Sequence, residues 1–304
     1  MQINYTRHHE IDKSKWDEAI RIAINGNLYG YSWYLDVVCP GWDALLSPDY
    51  DFIMPLTGNR KFGFHYLFRP TLSQQLGLFS RSIPLKEEVD AFLEAIPAKF
   101  RLIQICLNKH NHPSDNFSPI LHSTYELDLN SDYEQIRSQF SANHRRNIKK
   151  AASAGLEIVE GLPHKEFIDM LVRDNSPGSQ ILARKKNLIQ ITQLIEQMQF
   201  FNAIRIIGIN NQEGKTISCV LFGHSHNIWI YLVPVNSNEG REKRALFAII
   251  DHLIQNRTGN NEILDFEGSD IIGLAQFYSG FGARKKSYNE IRQNTLPWPI
   301  NYLK

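Results

Sequence analysis

Apolar positions along the first third of the chain fall into two periods. Trp16, Ala19, Ile20 and Ala23 share one face at helical spacing and predict a helix near the N-terminus. Pro84 and the acidic residues after it mark a second helix start. Val89, Phe92, Leu93 and Ile96 supply its apolar face, which stops at Pro97. Aromatic-rich stretches at 50–57 and 61–68 read as strands around a turn at Thr57-Gly-Asn-Arg60, and 102–107 reads as another strand. Residues 108–119, rich in Asn, His, Pro and Ser, predict the connection between two domains, 1–119 and 120–304.

Beyond that connection, a strand is expected at 124–129. Asp132 then caps one long helix whose face runs through Tyr133, Ile136, Phe140 and Ile148 to Gly155. A strand at 156–159 and helices at 165–173 and about 183–199 follow, the last with Leu188, Ile191, Ile195 and Met198 on one face. Three strands at 203–209, 216–223 and 228–235, joined by short polar turns, form a meander. A helix at about 244–255, a strand running into Asp265-Phe-Glu-Gly-Ser269, and a short helix with Ile271, Leu274, Ala275 and Tyr278 facing inward complete the pattern. This is an α+β layout on mixed, mostly antiparallel sheets.

Composition narrows the possible chemistry. The 304 residues are 42% hydrophobic, and the formal net charge is +1, so any site for an anion or nucleic acid must be local. Cys39, Cys106 and Cys219 are widely spaced and odd in number, which predicts reduced, buried thiols and a cytoplasmic protein. The histidines show no metal-ligand spacing, so no metal site is expected. The first ten residues do not read as a signal peptide, and no apolar run is long enough to span a membrane, so no membrane insertion is expected.

The segment Asp265-Phe-Glu-Gly-Ser269, followed by Ala275-Gln-Phe-Tyr278-Ser-Gly-Phe281-Gly282, resembles the last core strand and helix of the GNAT acyltransferase superfamily. The stretch Ser141-Ala-Asn-His-Arg-Arg-Asn-Ile-Lys-Lys-Ala151, together with Glu126-Leu-Asp-Leu129, Phe266-Glu-Gly268 and Ser279-Gly-Phe281, is similar to a signature of the Fem-type branch. The resemblance covers 120–304 most clearly and extends more weakly over the first 120 residues. It implies two GNAT-like domains in tandem, the second carrying the site, and an N-acyltransferase with acyl-CoA as donor and a small-molecule or peptide amine as acceptor. Two alternatives are a peptidoglycan-type transferase drawing on aminoacyl-tRNA and a binding module that has kept the fold without the chemistry.

The resemblance also implies roles. Tyr278 would protonate the departing thiolate. Strand 228–235 would offer the backbone of Val233 and Val235 to the pantetheine arm and polarise the reacting carbonyl. The loop after it, with Gly240, Arg241 and Arg244, would hold a pyrophosphate, although Glu242 and Arg244 stand where the superfamily pattern has small residues. Gln74, Gln75 and Ser269 would line the acceptor side. Read from spacing, Asp265 and Glu267 flank Phe266 on one strand face, where paired carboxylates can supply a general base. Arg145, Arg146, Lys149 and Lys150 form one cationic strip on a helix, suited to phosphate or RNA or simply to solvent.

Overall fold

A computed structural model describes residues 1–268 and 271–297 of the chain. Two compact units emerge, Met1–Ser123 together with the described residues from Lys286 on, and Thr124–Lys285. The division thus falls at Ser123/Thr124 rather than at 119/120, and the end of the chain belongs to the first unit. The expected connection at 108–119 is anchored within that unit. Asn108 and Asn111 are buried, and their amides donate to the carbonyl of Leu78 at 3.1 and 2.9 Å.

The first unit contains β1 (Asn4–Thr6), α1 (Lys13–Ile22), α2 (Ser32–Val38), β2 (Asp43–Leu46), β3 (Phe52–Leu56), β4 (Gly58–Lys61), β5 (Phe64–Leu67), β6 (Phe79–Ser80), α3 (Lys86–Glu94) and β7 (Phe100–Cys106). Strands β1, β2, β3 and β6 form one antiparallel sheet. Strands β4, β5 and β7 continue to a strand near the chain's end, the order being β4-β5-β7 and then that strand. The turn expected at residues 57–60 lies further on. Residues 58–61 are paired strand, and the chain reverses at Phe62 and Gly63, both with positive φ. Val89, Phe92 and Leu93 of α3 pack with Leu67, Phe100, Ile103 and Ile105 in the core.

Strand β8 (Ile120–Asp128) leads into the second unit, which continues with α4 (Tyr133–Ser138), α5 (Ala142–Ala152), β9 (Glu157–Glu160), α6 (His164–Arg173), α7 (Pro177–Leu182), α8 (Lys185–Phe200), β10 (Ile204–Asn210), β11 (Thr216–Ser225), β12 (Ile228–Asn236), α9 (Asn238–Glu242), α10 (Ala245–Arg257), β13 (Ile263–Asp265) and α11 (Ile272–Ser279). Strand β14 (Arg284–Asn294) then returns to the first unit and pairs antiparallel with β7; the sequence pattern did not predict it. The strands of the second unit run in the order β8-β13-β12-β11-β10-β9. All neighbours are antiparallel except β12 and β13. Successive residues of β11 show the layering. Cys219 meets Met170 of α6, whereas Val220 joins the core that holds Ile249 and Ile250 of α10, so the two helices cover opposite faces.

Two helices replace the expected long one because Ser141 offers a better start. Its hydroxyl accepts from the His144 N–H at 3.1 Å and caps α5, so the chain breaks after α4. His144 then joins α5 to α11, with Nδ1 on the Ser141 hydroxyl and Nε2 on the Phe277 carbonyl at 2.9 Å. Burial holds its pKa below the usual imidazole range, against the pull of that carbonyl. A Cβ at Gly280 would lie 1.9 Å from the His144 ring, which explains the glycine of the Ser-Gly-Phe run. Gly280→Ala is therefore expected to destabilise the protein by about 1–3 kcal/mol. In the His144→Ala background the same change should cost measurably less, a coupling that a denaturation double-mutant cycle reads directly.

Candidate functional site

The site grows from a strand pair that comes apart. Strands β12 and β13 pair in parallel only at Ile228↔Ile263, Trp229↔Leu264 and Ile230↔Asp265. Strand β12 runs on to Asn236, while the chain after β13 turns to β8, where the Phe266 N–H bonds the Tyr125 carbonyl at 2.9 Å. Residues 231–236 thus have one strand neighbour, β11, among the described residues. A bulge at Leu232, where Leu221 faces Val233 and Phe222 faces Tyr231, bends β12 at the point of divergence. The tight end of this opening is fastened. Trp229 Nε1 donates to Glu262 at 2.8 Å, its ring stacks on His224 at 4.2 Å, and Arg257 lies over it at 4.5 Å.

Backbone alternation decides what the open edge offers. The Ser237 N–H donates to the Ile217 carbonyl at 3.0 Å, and along an antiparallel ladder every second residue repeats that pattern. The N–H groups of Val233 and Val235 therefore face β11, not the opening. Pro234 has no N–H to offer. Its carbonyl and the Asn236 N–H are the groups directed outward.

Tyr278 projects from α11 into the aromatic core beside this opening. It is 6% exposed, stacked on Phe266 at 5.1 Å, and close to Tyr125 at 5.9 Å and Tyr231 at 6.3 Å. Burial raises its pKa well above that of a free phenol, and the charges of Glu267 and Asp265 raise it further, so the hydroxyl keeps its proton throughout the neutral range. The three side chains predicted as catalytic thus lie within electrostatic reach of one another. Their setting differs from the expectation in two ways. Strand β13 ends at Asp265, and Glu267 adopts a left-handed φ of 59°, so strand alternation does not relate the two carboxylates. Asp265 also carries structural bonds, since its Oδ1 accepts from the Thr124 hydroxyl at 2.7 Å and the Glu267 N–H at 2.8 Å. Of the expected inward face of α11, Tyr278 is buried, whereas Ile271 and Leu274 are exposed. Ser269 lies outside the described residues.

The expected phosphate loop is built otherwise. Residues 238–242 form the short helix α9, and Arg244 takes a left-handed φ of 63° before α10 begins. Gly240 serves a close approach, because a Cβ there would sit 2.5 Å from the Ile217 carbonyl. Arg241 turns toward α6, where its Nη2 bonds Asp174 at 2.9 Å. The carboxylate is held by the hydroxyls of Ser176 and Ser179, each at 2.7 Å. Burial tends to raise the Asp174 pKa, but these hydroxyls and Arg241 outweigh it and hold the carboxyl below its usual range. Arg244 donates to the Arg241 carbonyl at 3.1 Å, and its Nε is buried without a partner.

Three further predicted residues have structural tasks. Arg145 donates to the carbonyls of Phe140 and Ser138 at the end of α4. Gln74 and Gln75 are buried, and Gln75 links the Gln74 carbonyl oxygen at 2.8 Å to the Lys109 N–H at 3.0 Å. They form a packed amide pair. Sequence reasoning missed Asp174 and Glu262, whose partners lie far away in the chain and carry no spacing signal.

No protein-family model matches the sequence, and no curated protein matches it. Solved structures do. The chain is similar to FemX, at 12% identity over 96% of this chain and 97% of that one, with a TM-score of 0.68. It is similar to L-PGS from Bacillus licheniformis, at 13% identity over 93% and 92% of the two chains, with a TM-score of 0.56. A tandem GNAT protein from the clavulanic acid biosynthesis pathway matches at 9% identity over 97% and 99%, with a TM-score of 0.55. The fold is a tandem GNAT fold, shared with these structures.

Asp174→Asn is expected to lower stability at neutral pH by about 1–3 kcal/mol, because the charge-assisted bond to Arg241 is lost. A carboxylate whose folded pKa is depressed stabilises above its unfolded pKa and loses that contribution as pH falls through the folded value. The difference between variant and parent should therefore shrink below about pH 4, as chemical denaturation across pH would show.

Proposed function

We propose that the chain is an N-acyltransferase that moves an acyl or aminoacyl group from an activated donor directly onto an amine. The observation that carries this reading is the opening between β12 and β13, with Tyr278, Glu267 and Asp265 beside it. An extended donor arm, the pantetheine of an acyl-CoA in the favoured case, lies along the free edge of β12 as an added strand. It takes hydrogen bonds through the Pro234 carbonyl and the Asn236 N–H. The acceptor amine gives a proton to Glu267, directly or through a water, and attacks the acyl carbonyl. Tyr278 protonates the leaving thiolate or alkoxide. A phenol held protonated by burial releases its proton only as negative charge builds on that leaving group, which suits a general acid in a dry site.

A second reading takes aminoacyl-tRNA as donor. Arg146, Lys149 and Lys150 favour it, forming an exposed cationic strip on α5 in which Arg146 also bonds Asn143 at 3.0 Å. The neighbours named FemX and L-PGS agree with a transferase reading but do not choose between the donors.

Turnover assays of the purified protein with acyl-CoAs and with charged tRNA, each against a panel of amines, decide between the two. Tyr278→Phe keeps the packing and removes the proton donor. Turnover is expected to fall about 10²-fold or more, with little change in melting temperature or donor affinity. Full activity in that variant would return Tyr278 to the core. No turnover with either donor class would favour the non-catalytic binding module.

A further inference from the structure

A hollow of about 220 Å³ opens on the β11 side of β12, away from the opening beside β13. Its walls are the end of α6 and the turn after it, the start of β11, and the first residues of α9. No residue of β13 or α11 lines it. Three cations do: Arg173, Lys215 and Arg241. One carboxylate faces them, Asp174, whose side chain is 4% exposed and already paired with Arg241. Glu166 lies behind Thr216 and takes its hydroxyl. Glu239 lies within electrostatic reach of Lys215 but is engaged by Lys243 at 2.8 Å and Asn211 at 3.0 Å. Among the described residues, neither Arg173 nor Lys215 has a carboxylate within ion-pairing distance.

We propose that this hollow binds a small molecule through a dianionic phosphate group. Arg241 is fixed for the task. One Nη is tied to Asp174 and the other to Asn238 at 2.7 Å, which leaves three of its five N–H donors for a ligand. The hydroxyls of Ser176 and Ser179 lock Asp174, so the guanidinium is held without drawing on ligand binding. Arg173 and Lys215 supply two more charges from exposed side chains, and Asn175, Asn238 and Ser237 add neutral polar groups. One arginine satisfies a monocarboxylate. A phosphate monoester, with about two charges and three acceptor oxygens, uses the whole set. The volume is several times the ~30 Å³ of a water molecule, enough for a phosphate and a short organic group. The site does not depend on the transferase reading, because it shares no side chain with Tyr278, Glu267 or Asp265.

Calorimetric titration of the full chain with inorganic phosphate and with glycerol 3-phosphate tests the proposal. Saturable binding is expected for at least one of them, weakening as ionic strength rises. Lys215→Met and Arg173→Ala should each weaken it about tenfold or more, and the double substitution should remove measurable binding. Both side chains are exposed, so melting temperature should hold and confirm that the variants are folded. Tighter binding of glycerol 3-phosphate identifies a phosphorylated metabolite as the source, and equal or tighter binding of inorganic phosphate identifies the free ion; either order supports the site. Two results overturn it: no saturable binding of either probe, or binding that survives the double substitution and so lies elsewhere.

Discussion

The second unit is organised by a hydrogen-bond ladder that stops early. Strands β12 and β13 pair over three residues, and β12 then runs on with β11 alone. An unpaired strand edge inside a fold is costly unless something satisfies it or water reaches it. Here the cost is lowered by chemistry written into the strand. Proline at 234 removes one donor from the open side, and the bulge at Leu232 bends the strand away. The aromatic group of Phe266, Tyr278, Phe281 and Tyr231 packs together beside the point of divergence. An opening that is part of the packed core keeps its shape without a ligand, as preorganised chemistry requires.

Helices and strands with a single buried face were legible in the sequence because their apolar period survives tertiary context. Helices α1, α3, α6 and the meander β10–β12 fall close to where periodicity puts them. Errors cluster where a local cap outweighs the period. Ser141 divided one predicted helix, and Ser176-Pro177 started α7 where no helix was expected. Strand β14 escaped because Arg284–Asn294 is dominated by polar and charged residues and buries little besides Tyr288, Glu290 and Ile291.

The site was legible as a neighbourhood rather than as a mechanism. Tyr278, Glu267 and Asp265 were named from a short motif, and they do lie together. Residue type alone did not show what the cations hold within the fold. Arg241 and Arg145 look like phosphate ligands in a linear sequence, yet the first answers Asp174, sixty-seven positions away, and the second answers the carbonyls at the end of α4. Arginine has enough donors to serve structure and ligand at once, so its position in a loop does not say which it serves. The glycines mislead for a related reason. Gly240 and Gly280 are required by the close approach of a carbonyl and of a histidine ring, respectively. A glycine pattern therefore reports crowding as readily as it reports a bound phosphate.

The return of β14 to β7 has a consequence for how the protein is made. Residues 286–294 complete the sheet of the first unit, but they are synthesised only after all of Thr124–Lys285. During translation β7, with Ile103 and Ile105 in its centre, has β5 on one side and an unfilled edge on the other. The second unit can close on itself while that edge waits. The two halves thus mature in the reverse of their order along the chain, and a fragment ending before Arg284 carries an adhesive strand that the intact protein never displays.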